Sequence, residues 1–179
     1  ITALSGGSGG TYNRLVRFPA VYMFQYFQLY HHGNVVETKY ADDIWLQAMM
    51  SKQYEEFTKW SSDVGDAADS ARATAAASAQ TMSLYLGDIF EIFKKPFPIF
   101  ACLDDIEIRV YPWPALGYTV QTDHTTTPSY TFTSCYIDTC YLEPKYSAIS
   151  DYILQTCNQG GWTKYFLETS RYDHPLSAS

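Results

Sequence analysis

The residues able to do chemistry are few and badly spaced for it. Four histidines occur, at positions 31, 32, 124 and 174. His31 and His32 are adjacent in a stretch of period-two alternation, so their rings leave the backbone on opposite sides and do not converge on one metal. Asp42-Asp43 and Asp104-Asp105 are the carboxylate pairs. The first precedes Ile44, Trp45, Ala48 and Met49 at helical spacing, which predicts a helix cap placed on the favourable end of the dipole. The second precedes an alternating run, where turn residues belong. A glycosidase would need two carboxyls facing each other across a cleft, and the spacing offers no such arrangement. Gly-x-Ser-x-Gly, a Walker loop and Gly-x-Gly-x-x-Gly are all absent from the sequence, and the glycine-rich run 6–10 has no following lysine. Cys102, Cys135, Cys140 and Cys157 form no Cys-x-x-Cys pair and have no histidine at zinc-finger spacing. On one strand Cys135 and Cys140 would have opposite parity. Buried reduced thiols are expected, or else a disulfide through Cys157. Reduced thiols favour assembly in a reducing compartment. The expectation is a chain that is not an enzyme, with no metal and no cofactor.

The elements that would position side chains are clearest over residues 18–50. Met23, Gln25, Phe27 and Leu29 share one parity, and Tyr26, Gln28 and Tyr30 the other, which predicts a strand. His32-Gly33-Asn34 predicts a turn at Gly33-Asn34, both residues tolerating positive φ. Residues 35–39 return as a β-branched strand, and a helix runs on through Trp45. Tyr54, Phe57 and Trp60 then recur every third residue in a helical stretch. A core-facing stripe and a subunit contact are the two readings of that spacing, and these three are the candidate interface residues.

Composition sets outer bounds. The chain has 179 residues, enough for one domain with a core or two small ones. It begins at Ile1, as expected of a processed chain or a piece of a longer one. Net charge is −7, with 12 basic residues scattered along the chain, which argues against direct nucleic-acid binding. No apolar run reaches membrane-spanning length. The aromatic load is high, 16 Tyr, 10 Phe and 4 Trp. A sandwich core of this size uses roughly a dozen rings, each burying about 150–250 Å². The surplus suits buried contacts between subunits.

Residues 1–10 read as a flexible Gly/Ser segment, and 11–179 as a single partial domain. Pro19 predicts an edge strand or strand start. Residues 61–80 carry almost no large apolar side chains, so a surface excursion is expected there, with one or two helical turns in the Ala run. Residues 99–110 predict a strand with Ile106, Ile108 and Val110 on one face and Glu107 and Arg109 on the other. Further strands are expected over 130–142 and 162–169. Roughly seven strands, with helices confined to connections, predict an all-β fold: an antiparallel jelly-roll β-sandwich with short helices in the connecting loops.

Three stretches in order resemble the double jelly-roll major capsid proteins of nucleocytoplasmic large DNA viruses, virophages and polinton-like viruses. They are the hairpin-helix 24–50 with Gly33 and Trp45-Leu46, the segment 96–110 with Pro98 leading into an alternating strand, and 135–143 with Tyr136-Ile137-Asp138 and Leu142-Glu143. Together they cover under a third of the chain. The family is more than twice as long, so the resemblance implies a fragment holding most of the first of two jelly rolls. It further implies a structural role: a homotrimeric capsomer in an icosahedral shell, contacting neighbouring capsomers and minor capsid proteins, located in the virion and assembled inside the host cell. Catalytic, cofactor and metal residues are not implied by it, nor are direct nucleic-acid contact or membrane insertion. The alternative is a carbohydrate-binding β-sandwich module of spike or lectin-like type, in which Trp113 or Trp162 stacks on sugars.

Overall fold

The structure is a computed structural model that describes residues 1–5, 12–94, 105–123, 125, 128–138, 148, 150–152 and 155. Its elements run β1 (Asn13–Leu15), α1 (Pro19–Tyr22), β2 (Phe24–His31), β3 (Asn34–Tyr40), α2 (Ala41–Ser51), α3 (Tyr54–Asp63), α4 (Asp69–Ala75) and α5 (Leu86–Ile89). A 3-10 turn (Glu91–Lys94), β4 (Ile106–Pro112), a second 3-10 turn (Leu116–Tyr118) and β5 (Val120–Thr122) follow. The strands form two small antiparallel sheets, β3-β2-β4 and β1-β5.

The hairpin and helix form as their patterning requires. Phe27 and Leu29 are buried, while Tyr26, Gln28 and Tyr30 lie on the other face. The turn sits one residue earlier than expected. His32 and Gly33 carry the positive φ values, 51° and 73°, and Asn34 donates its side-chain N–H to the His32 carbonyl at 3.2 Å. Two consecutive positive φ values match the twist of a two-residue hairpin. At the start of α2 the Asp43 carboxylate reaches back to the Tyr40 N–H at 3.4 Å, while Asp42 accepts from the Tyr22 hydroxyl at 3.0 Å. Ile44 and Ala48 then face the core.

The all-β expectation is overturned: the fold is mixed α/β. Helices are not confined to connections. α1, α2 and α3 supply Val21, Ile44, Ala48 and Trp60 to the same cluster as Phe27 and Leu29 of β2, closed by Val64, Ile89 and Phe90. The reason is local. Residues 41–63 hold few β-branched residues and many good helix formers, and their apolar positions repeat every three to four residues. Pro19, expected in a strand, is the first residue of α1 instead, where its missing N–H costs nothing. Phe18 before it takes a left-handed conformation, φ 50°. Residues 130–138, expected as a strand, carry no strand pairing, and only Ser129 bridges Ser5. The expected strand at 162–169 lies outside the described residues, as do the expected strand residues 99–104 and 139–142.

Residues 61–80 are mostly exposed, with three buried exceptions: Val64, Arg72 and Ala76. Arg72 is the unexpected one. Its guanidinium donates to the Leu15 carbonyl at 2.5 Å and the Ala67 carbonyl at 3.1 Å, and pairs with Asp69. It thereby fastens α4 to β1 with a planar donor set rather than with apolar bulk.

Candidate interaction surface

Each face of the β3-β2-β4 sheet has its own chemistry. On the core face, Leu29 lies between Glu37 and Ile108, and Phe27 lies between Lys39 and Val110. Glu37 and Lys39 are buried there and form an ion pair, Nζ to Oε1 3.3 Å. Alternation explains their direction: both share the parity of the inward positions, and pairing makes a buried charge tolerable.

The outer face is a ladder of tyrosines and polar residues. Tyr26 lies between Tyr40 and Tyr111, and Gln28 between Thr38 and Arg109. The Tyr26 and Tyr111 rings stack at 4.3 Å, and the Tyr40 ring is 5.8 Å away. Gln28 donates to Thr38 at 3.2 Å and accepts from the Tyr30 hydroxyl at 3.0 Å. The Arg109 guanidinium lies 4.0 Å over the Tyr30 ring and grips Glu107 through two bonds of 2.7 and 2.8 Å. That grip holds the Glu107 carboxyl below the usual range and raises Arg109 further. Hydrogen bonding to the Tyr111 phenol pushes Tyr30 up. None of these groups pairs a nucleophile with a base.

Exposed large apolar side chains cluster in two places, with others scattered singly. One is the outward side of α2 and the start of α3, where Leu46, Met49, Met50 and Tyr54 are exposed. The other is the stretch 131–138, every residue of which is exposed, Phe132, Tyr136 and Ile137 included. The three candidate interface residues are separated by the fold. Trp60 is 6% exposed inside this chain's own core, Phe57 packs partly against it, and Tyr54 is 84% exposed. Phe18, Phe57 and Trp60 form one aromatic cluster, with Phe18 5.7 Å from Trp60 and 6.3 Å from Phe57. Thus Tyr54 alone of the three is available to a neighbour. The sequence signal for the rest of the helical patch was that α2 is apolar on more than one face, which a helix serving one core does not need.

Among the described residues no group of three or more His, Cys, Asp or Glu could hold a metal ion. Cys135, expected to be buried, is an exposed thiol, because the stretch holding it is not seated in a sheet. Cys102, Cys140 and Cys157 lie outside the described residues, as do His124, His174, Asp104 and Trp162. Trp113 and Tyr118 stack at 4.8 Å on the loop after β4, with Tyr118 exposed. No helix among the described residues is long and apolar enough to cross a membrane.

No protein-family model, curated protein or solved structure matches this chain. What it does is therefore read from its surfaces.

Proposed function

We propose that this chain is an architectural protein, a shell-forming subunit of the major-capsid type, whose strands belong to a jelly-roll sandwich and which self-associates as a homotrimer. One observation carries the reading. Two of the three stretches that resemble capsid proteins, 24–50 and 96–110, lie far apart in sequence, yet β2 and β4 run side by side in one sheet, from Phe24 opposite Pro112 to His31 opposite Ile106. The third, 135–143, begins in the exposed apolar stretch. Exposed apolar surface on α2, α3 and 131–138 is what subunit contacts cover. Neighbouring trimers and minor shell proteins are the further partners of this reading, and the virion is its location.

Light scattering during size exclusion, together with native mass spectrometry, tests it. Association into a species three times 20.4 kDa is expected. A monomer that persists across a wide concentration range overturns the proposal. The second reading, carbohydrate binding, is favoured by the Trp113–Tyr118 ring stack, since an exposed aromatic face takes sugars. A glycan array in which binding is lost with Trp113→Ala, on a chain that stays monomeric, would replace the first reading by the second.

A further inference from the structure

Two β-surfaces are unfilled among the described residues. The first is the far edge of β4. Its near edge pairs with β2 along the whole strand, while the far edge takes no backbone partner among the described residues. β4 is seven residues long and alternates cleanly. Ile106 and Ile108 pack toward the core, and Glu107 and Arg109 neutralise each other on the outer side rather than guarding the edge with net charge. Such an edge is a template for another strand.

The second surface is the stretch 132–138, Phe-Thr-Ser-Cys-Tyr-Ile-Asp. It is rich in β-branched and aromatic residues and contains neither Gly nor Pro, so it has the composition of a strand. The backbone is tied at its beginning: Ser129 pairs with Ser5, Thr131 accepts from the Thr2 N–H at 2.9 Å, and the Phe132 ring stacks on Phe24 at 5.7 Å. From Thr133 to Asp138 the backbone makes no hydrogen bond to the other described residues, and each of these side chains is exposed.

We propose that residues 132–138 of one copy add as a strand to the free edge of β4 in a second copy. The inference rests on the self-association proposed above and names the contact that drives it. The two surfaces match in one antiparallel register. Placing Thr133, Cys135 and Ile137 opposite Val110, Ile108 and Ile106 continues the core-facing row. Phe132, Ser134 and Tyr136 then fall opposite Tyr111, Arg109 and Glu107, which extends the outer tyrosine ladder. Asp138 then falls opposite Asp105, just before β4, so the register ends on one pair of like charges. A second copy is the occupant because the chain's own segment has the advantage of proximity and does not use it. Phe132 sits on Phe24, whose cross-strand partner is Pro112 at the end of β4, yet residues 133–138 do not pair with that edge. A strand donated head to tail also closes into a ring when the rotation allows, as a trimer requires.

The test uses the full chain and its native Cys135. Ile108→Cys under mild oxidation should give covalent multimers on a non-reducing gel, with a peptide containing position 108 joined to Cys135. Adding Cys135→Ser should abolish them. Separately, Ile137→Asp, at a position 56% exposed, should leave the folded monomer intact and weaken association by about tenfold, as loss of a central interface contact does. If the chain self-associates but Ile137→Asp is neutral and no 108–135 link forms, the inference fails while the architectural reading stands. A 108–135 link within one monomer overturns the second copy as occupant. Absence of any self-association removes both.

Discussion

Around β2 and α2 the chain is held by apolar contact, whereas around β1 it is held by charge. The first region buries Val21, Phe27, Leu29, Ile44, Val64 and Phe90 in one continuous cluster. The second has only Leu15, Met23 and Val120 buried together, under partly buried Ile1, Leu4, Met82 and Tyr130. What the second lacks in apolar area it makes up with Arg72 on the Leu15 carbonyl, with Arg14 on Asp69 at 2.8 Å, and with Asp66. The Asp66 carboxylate accepts from Arg17 at 2.6 and 3.1 Å, from the Phe18 N–H at 3.4 Å and from Ser61 at 3.3 Å. Apolar burial involves no titrating group and is lost as volume. A polar knot depends on each donor and acceptor staying in its charge state. The two regions should therefore fail under different insults.

Phe90→Ala is the largest blow. It empties a fully buried site, and the urea midpoint should fall by the equivalent of about 3–5 kcal/mol, with the whole sheet losing amide protection together. Arg72→Met comes next, at about 2–3 kcal/mol, because the Leu15 and Ala67 carbonyls lose their donor while the buried stem is replaced. Hydrogen exchange should show α4 and β1 opening first, with β2 protection reduced less. Equal loss in both regions would mean that they form one cooperative unit.

Acid sharpens the contrast. Burial alone would raise Asp66, but its bonds to Arg17, the Phe18 N–H and Ser61 outweigh that and hold its carboxyl below the usual range. The hydrogen bond from Arg72 and the charge of Arg14 do the same for Asp69. A carboxylate depressed on folding contributes stability that is fully present above its ordinary pKa and is lost as pH falls through its folded value. Denaturation midpoints should hold steady near neutrality and drop below about pH 4, where unfolded aspartates begin to bind protons. Asp66→Asn should flatten that acid slope and cost about 1–2 kcal/mol at neutral pH, a smaller loss than Arg72→Met causes. A slope unchanged in the variant would remove Asp66 from the explanation.

Gly33→Ala should have the smallest effect. Gly33 has φ 73° with no atom near its would-be Cβ, so the cost is backbone strain alone, about 1 kcal/mol, confined to the hairpin tip. Neither core region should register it in hydrogen exchange.

Patterning alone made the hairpin, the following helix and the faces of β4 legible, because each depends on residues within a few positions of one another. The turn was misplaced by one residue because His32 accepts a left-handed conformation that the spacing argument assigned to Asn34. The all-β reading failed at 41–63, where the helical spacing was legible but the helices were taken for connections rather than for walls of the core. Of the interface candidates, spacing by threes correctly put Tyr54, Phe57 and Trp60 on one helix. It could not say that the chain's own Phe18 would cover Phe57 and Trp60 and leave Tyr54 bare.

The sequence by itself determined the local units: a strand where side chains alternate, a helix where apolar residues return every three to four positions, a turn where positive φ is tolerated. It also determined an aromatic load that exceeds one small core. Only the tertiary structure decided which of those surfaces met. It set β4 against β2, buried Glu37 beside Lys39, and turned Arg72 inward onto a carbonyl distant in sequence. Such choices rest on contacts between residues far apart along the chain, whose loop-closure cost and mutual fit no local pattern records. The same physics leaves one edge of β4 and the backbone of 133–138 unpaired among the described residues, two features that no reading of spacing could bring together.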